Sequence, residues 1–451
     1  MRNNRRNHGG GSARGGSGNG AAAKLLPLIV LAVCVIGVVA YFICKPDGPH
    51  ESDEGKPKKD SVAVAGTPTA AVSPELATIY LDNSVSMQGY VHGRQYLDAL
   101  ADLMIVYPGT EARCVSDSGV VIKTGSELIS KLTNNAIHYV GQSLLNEDMK
   151  RIVGDVKASK KQKIAFFVTD GIMCGPDAEI RKTPDYNINH RQELTNSISS
   201  VFKGQGLGVS VYRLVSDFKG VYYCYDNSHK PIDALRSFYI IAIGKPKVVA
   251  DFKENLIKRQ KQSIFKLRPQ NEIHFIESKP INQYLSINAG KDGNVVLSID
   301  ENNTVVYDRS KIKSDKDINF QISFDAFKNY KYSGIDLAKN VQVKIDGTEY
   351  KTEAIADSLR NALIVKVEHN RLKGTSDGSK VHITIPYFTP AWITSSIVSN
   401  DNDLRFIQGL ADESTFFFNY FINGIMNGVL SSTDFNIYDR ELLLKRKYES
   451  I

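Results

Sequence analysis

Residues 77–90 read ATIYLDNSVSMQGY, an apolar run that stops at Asp82 and is followed by hydroxyls at Ser84 and Ser86. An acid and two hydroxyls at alternate positions, where a strand passes into a loop, can converge on one hard divalent cation. Carboxylate and hydroxyl oxygens are what Mg²⁺ takes, and it completes its octahedron with water or with an oxygen from a partner. A second apolar run, 164–168 (IAFFV), ends in Thr169-Asp170-Gly171. Two such runs lying side by side in a parallel sheet would bring Asp82 and Asp170 to one edge. Each acid also has a plainer reading, Asp82 as a helix cap and Asp170 as a turn residue. Two acids that each end a buried strand, with serines at the right offsets, favour the metal.

Other patterns give no chemistry. Gly204-Gln205-Gly206-Leu207-Gly208 precedes a strand instead of following one, so it does not cradle phosphate. Of five cysteines, Cys34 and Cys44 lie in an apolar segment and Cys114, Cys174 and Cys224 outside it. They make no C-x-x-C or Cys/His cluster that would suggest zinc, and one bridge with a thiol left over or three buried thiols both suit them. Nine histidines are scattered without a Ser-His-Asp or Cys-His arrangement. His92, near the acids, reads as a surface residue. No nucleophile or acid/base constellation is visible, so an enzyme is not expected.

The elements that must position the acids follow from periodicity. Apolar strands are expected at 77–81, 112–116, 120–123, 164–168, 209–215 and 238–243. Helices are expected at 95–107, around Leu145, Met149, Ile152 and Val153, around Leu194, Ile198, Val201 and Phe202, and at 247–260. An aromatic insertion, 218–224, separates the last two strands. Such alternation implies an α/β domain over 76–265, with a Rossmann-like, doubly wound and mostly parallel sheet. From 270 to 395 strand-like pieces recur at 295–299, 304–307, 320–324, 341–345, 363–367 and 381–385 with Gly, Asn and Asp turns, the pattern of a β-sandwich. Residues 400–451 read as a helical segment. In it, 416–430 (FFFNYFINGIMNGVL) is too short to span a membrane, carries asparagines at 419, 423 and 427 on one face, and should dock closely on a neighbour.

The strand ending in Asp-x-Ser-x-Ser and the later strand ending in Thr-Asp-Gly together resemble the von Willebrand factor type A domain and its metal-ion-dependent adhesion site. The resemblance covers about 76–262. It implies that Asp82, Ser84 and Ser86, with Met87 behind them, and Asp170, with Gly171 behind it, hold Mg²⁺ (or Mn²⁺) at the carboxyl edge of the sheet. The family also supplies a Thr from a loop between these motifs. Here no Gly-Gly-Thr is present; Ser143, in Gly141-Gln142-Ser143, is the candidate for that hydroxyl, and Thr133 the alternative.

The 451 residues allow two or three domains. Residues 25–44 are twenty without a charge, the length of a bilayer crossing, behind an acid-free Gly-rich tail (1–24) with four arginines and Lys24. A single-pass anchor with a cytoplasmic N-terminus is expected, followed by a Pro- and Lys-containing linker (45–75). The bulk of the chain would then be periplasmic or on the cell surface. A cleaved signal peptide fits less well, because no small-residue cleavage site follows the apolar run. The net charge of +7 resides mostly in the first 44 residues, which carry five Lys/Arg; 51 Lys/Arg against 49 Asp/Glu remain beyond. A nearly neutral body does not call for a nucleic-acid partner. The reading is a membrane-anchored binding, adhesion or complex-assembly protein of the cell envelope. It would use Mg²⁺ to take a carboxylate of a partner protein with an exposed acidic residue. A structural envelope component without a working metal site is the alternative, and a hydrolase of unrecognised type is another.

Overall fold

The computed structural model describes residues 74–116, 121–141, 145–172, 186–223, 229–276, 282, 285–288, 298–299, 304–307, 318–327, 332–368, 372, 377–394, 415, 418–430 and 436–446. The tail, the apolar segment 25–44, the linker as far as residue 73, and Ser143 lie outside these. Among the described residues no helix is long and apolar enough to cross a membrane.

The α/β part runs β1 (Leu76–Leu81), a 3₁₀ turn (Val85–His92), α1 (Arg94–Val106), β2 (Glu111–Cys114), α2 (Gly125–Thr133), α3 (Leu145–Ala158), β3 (Lys163–Thr169), α4 (Tyr186–Phe202), β4 (Gly208–Tyr223), β5 (His229–Gly244), α5 (Pro246–Gln260) and β6 (Asn271–Phe275). The sheet order is β2-β1-β3-β5-β4-β6. β1 lies parallel to both β2 and β3, as the continuous burial of its apolar residues requires. The other half departs from the expected mostly parallel sheet. β5 is antiparallel to β3 and to β4, and β6 is antiparallel to β4, so the sheet is mixed. The cause is local: β4 and β5 are joined directly, and a short connection can only make an antiparallel pair. Of the strand expected at 120–123, the described residues 121–123 give a single antiparallel bridge, Ile122 to Ala112, and residue 120 lies outside the described residues.

The aromatic stretch expected as an insertion is the continuation of β4. β4 and β5 run past the sheet as a two-stranded arm, paired from Val215 with Ser237 out to Tyr223 with His229. Alternation decides its faces. Phe218, Tyr222, Ile232 and Arg236 are buried, while Asp217, Lys219, Val221 and Leu235 are exposed. The buried face lies on the 3₁₀ turn, with the Phe218 ring edge-on to Tyr90 at 4.9 Å and the Tyr90 hydroxyl donating to Ser237 O at 2.5 Å. Two glycines permit the approach. A Cβ on Gly220 would stand 2.7 Å from Gly89 Cα, and one on Gly89 would stand 2.4 Å from the Phe218 ring.

Two further sheets bury one common apolar cluster, the arrangement of a sandwich. One has the order β13-β14-β10-β7, formed by β7 (Leu285–Asn288), β10 (Ile318–Ser323), β13 (Glu353–Asp357) and β14 (Ala362–Val367). The other, β12-β11-β15-β16-β9-β8, contains β8 (Ser298–Ile299), β9 (Thr304–Tyr307), β11 (Gln342–Ile345), β12 (Thr348–Tyr350), β15 (Lys380–Pro386) and β16 (Asn436–Arg446). Phe320, Leu363 and Val365 of the first meet Val343, Ile383 and Leu442 of the second. The C-terminal segment therefore differs from the helical reading. It supplies α6 (Phe418–Leu430) and then β16, which pairs antiparallel with β15 and parallel with β9.

Helix α6 packs on the α/β part. Phe418, Phe421, Ile422 and Ile425 join Ile198 and Phe202 of α4 in one cluster. A Cβ on Gly428 would stand 2.5 Å from Ser199 O, so the small residues mark close packing between helices. The asparagine face runs from buried Asn419 through half-buried Asn423, which accepts from Thr389 Oγ1 at 2.7 Å, to exposed Asn427.

Candidate metal centre

The parallel pairing of β1 with β3 brings both acids to one sheet edge. Leu81 pairs with Val168, and Asp82 N donates to Val168 O at 2.9 Å as the chains leave the sheet. Asp82 is only 4% exposed and Asp170 3%. Both acids are buried, Asp82 included, although a charged side chain at a strand end would be expected at the surface. Asp82 Oδ1 accepts from Ser84 N at 2.9 Å and Oδ2 from Thr169 Oγ1 at 2.7 Å. Thr169 Oγ1 in turn accepts from Gly171 N at 3.0 Å, and Asp170 Oδ1 from Ile172 N at 3.1 Å. Thr169 thus fastens the second loop to the first acid. The sequence reading had it only as part of Thr-Asp-Gly; its position as the last strand residue before the acid was the available signal.

The two hydroxyls meet each other: Ser84 Oγ and Ser86 Oγ are 3.0 Å apart. Asn83, pointing the other way, ties three loops: Nδ2 donates to His138 O at 2.7 Å, and Oδ1 accepts from Ser116 Oγ at 2.7 Å. Ser84 bridges Val140, so the chain leading to Ser143 passes beside the site, but Ser143 itself is outside the described residues. Thr133 is not brought there. It is exposed at the end of α2, and its hydroxyl donates to Ile129 O.

Burial, and then the charge of Asp82, push the Asp170 carboxyl up to about 7; the hydrogen bonds from Ser86 and Ile172 N and the charge of Arg236 pull the other way. Such a pair of close carboxylates calls for a cation. The donor set suits Mg²⁺: two oxygens at adjacent corners of an octahedron with bonds of 2.0–2.1 Å are about 2.9 Å apart, near the Ser84–Ser86 spacing. Carboxylates that already accept hydrogen bonds keep further lone pairs for a metal. Among the described residues no three His, Cys, Asp or Glu side chains converge, so a cation here would rest on two carboxylates and the hydroxyls.

A cleft of about 480 Å³ opens over the acid of the first loop, lined by Asp82, Ser84, Ser116, Val140, Lys150 and Arg151, among others. Arg151 reaches across its floor to donate to Val115 O. His92 is exposed at the end of the 3₁₀ turn, and Cys114 is half-buried at the end of β2. Cys174 and Cys224 lie outside the described residues.

Sequence reasoning missed Arg236. It is 1% exposed and lies over the Tyr222 ring with its guanidinium carbon 4.4 Å from the centroid. Burial works against its charge, yet the neighbouring Tyr222, Tyr90 and Asp170 together hold its pKa above the ordinary value. Reading 218–224 as an insertion hid the hairpin, and with it the period of two that makes Ile232, Arg236 and Phe238 one buried face.

Comparison with known proteins finds no matching family, no matching characterised protein and no matching solved structure.

Proposed function

We propose that this chain is a membrane-anchored, extracytoplasmic binding protein that takes a carboxylate of a partner protein through Mg²⁺ (or Mn²⁺). Asp82, Ser84, Ser86 and Asp170 would hold the ion, with Ser143 supplying a further hydroxyl. When bound, the metal supplies a Lewis acid for an incoming carboxylate oxygen. The observation that carries the reading is the meeting of Asp82, Ser84, Ser86 and Asp170 at the ends of two parallel strands, beside an open cleft. The chain's own residues set the geometry: Thr169 and Ser84 N orient Asp82, and Ile172 N orients Asp170. Both carboxylates are fixed by donors, which suits a ligand cage better than a mobile general base. The von Willebrand factor A resemblance supports the same assignment through its two motifs, while the antiparallel half of the sheet departs from it.

Calorimetric titration of the full-length wild type with Mg²⁺ or Mn²⁺ tests the site; binding at a single site, abolished by chelator, is expected. No heat from either ion would favour a structural envelope component. Protease added to intact cells should digest the large domain, whereas cutting of the N-terminal tail alone would reverse the topology.

A further inference from the structure

Three of the exposed isoleucines come together at one corner of the α/β part. Ile105 is 57% exposed on α1, Ile257 39% on α5, and Ile264 79% on the loop after α5. Hydrogen bonds on both sides of Ile105 hold that loop against α1. Asp102 Oδ2 accepts from Lys266 N and, at 2.7 Å, from Leu267 N, and Arg259 Nη2 donates to Val106 O at 3.0 Å. Phe265 and Leu267 turn into the core, so alternation leaves Ile264, Lys266 and Arg268 facing out. Charge is as uneven here as hydropathy. Residues 255–271 hold five Lys/Arg and no Asp or Glu, in a body that is otherwise nearly neutral. Of the acids around them, Asp102 is buried under the loop, Asp98 pairs with Arg94 at 3.6 Å, and Glu254 stands one turn before Lys258. The corner's place in the fold matters as well. α1 leaves the edge that bears the acids and delivers the chain to β2, whose Glu111 pairs with Thr78 near the start of β1. Ile105 therefore stands toward the edge where the linker enters at Leu76, and away from Asp82 and Asp170. Exposed Lys245 and Lys247 share that edge, because β5 ends there with Gly244 opposite Ile164.

We propose that this corner docks the body on a bilayer surface carrying anionic lipid headgroups. Ile105, Ile257 and Ile264 enter the headgroup region, while Lys258, Lys261 and Lys266 meet lipid phosphates. Aliphatic side chains set among cations, with acids kept away, gain from both parts of such a surface. A nucleic acid or an acidic protein would use the cations and gain little from the exposed isoleucines. The proposal rests on the anchor reading above for its reach, not for its chemistry. The linker 45–75 extends at most about 100 Å, so an anchored body meets the bilayer at high local concentration. Docking on this corner turns the edge with Asp82 and Asp170 away from the lipid, where a partner can reach it.

The test uses the full-length protein reconstituted in vesicles of brominated phosphatidylcholine, with or without phosphatidylglycerol. Ile264→Trp reports lipid contact through quenching of its fluorescence, and wild type supplies the background of its single tryptophan, Trp392. Ile335→Trp, at a site 64% exposed on the sandwich, is the control for mere nearness to the bilayer. With phosphatidylglycerol, Ile264→Trp should be strongly quenched and Ile335→Trp should not. Adding Lys258→Gln, Lys261→Gln and Lys266→Gln should lower the docking equilibrium constant on the order of a hundredfold and abolish most of the quenching. No quenching of Ile264→Trp above the wild-type background, or the same quenching after the three lysines are replaced, overturns the proposal. So does a shift in the emission of Ile264→Trp with soluble poly-glutamate but not with vesicles, which would make the corner a protein-binding face. If alkaline carbonate strips the protein from the vesicles, the anchor reading falls, and sedimentation decides the docking alone. Pelleting of wild type but not of the triple-glutamine variant with phosphatidylglycerol vesicles then upholds it, and pelleting of neither or of both removes it.

Discussion

At the scale of single residues, Asp82 does two jobs that its neighbours separate. On the proposed metal reading it would offer charge to a cation, and it accepts hydrogen bonds from Ser84 N and Thr169 Oγ1 that close two loops. Asp82→Asn keeps the size and an acceptor oxygen while removing the charge, so Mg²⁺ binding should vanish with little change in melting temperature. Asp82→Ala should also destabilise by about 1–3 kcal/mol, since it leaves the buried Thr169 hydroxyl and the Ser84 amide without their acceptor. Calorimetry and a denaturant melt on both variants check this; Asp82→Asn binding Mg²⁺ as wild type does would remove Asp82 from the site. The two acids and the serines were legible because a strand end followed by small polar residues is a local pattern. Thr169 was half legible. Arg236 was not, since its place depends on pairing with residues that are distant in sequence until the hairpin forms.

At the scale of elements, the arm formed by β4 and β5 is what distinguishes this α/β fold from the expected one. Strand existence was legible from apolar runs, but strand direction was not: a run such as 238–243 looks the same whether it lies parallel or antiparallel to β3. The arm closes on the 3₁₀ turn only because Gly220 and Gly89 bring two backbones together. Gly220→Ala should therefore destabilise by about 1–3 kcal/mol, the range for forcing an extra group into a filled space. It should also weaken Mg²⁺ binding through displacement of the turn that carries Ser86. Gly154 on α3 is the control. It is exposed, and a Cβ there meets nothing within 4 Å, so Gly154→Ala should stabilise by up to about 1 kcal/mol through helix propensity. Urea melts of the two variants should move in opposite directions; a shift of the same sign in both would mean that the Gly220 contact does not constrain the arm.

At the scale of the whole molecule, the C-terminal 41 residues, 411–451, connect the two halves. Helix α6 completes the cluster on α4, with Phe418 stacked on Tyr239 at 3.8 Å, one strand away from Asp170. Strand β16 then crosses to the sandwich and lies between β15 and β9. The sequence showed the helix through its apolar face, and missed the strand because NIYDRELLLKR mixes charges with apolar residues in a way that period alone does not resolve. In the structure Ile437, Tyr438, Leu442 and Leu444 are buried on the shared core. Removing 431–451 should therefore do more than trim an end. It leaves β15 with an unpaired edge, separates β9 and β8 from their sheet, and uncovers Val381, Ile383 and Ile385. Unpaired inner edges beside apolar surface promote association between copies. The chain lacking 431–451 should aggregate or bind a hydrophobic dye strongly. Removing 411–451 should be worse, because it also strips α6 from the cluster that backs Tyr239 and, through it, the loop bearing Asp170. Either truncated protein remaining as soluble and as stable to urea as the intact chain would show that β16 and α6 are appended to the fold and do not hold it together.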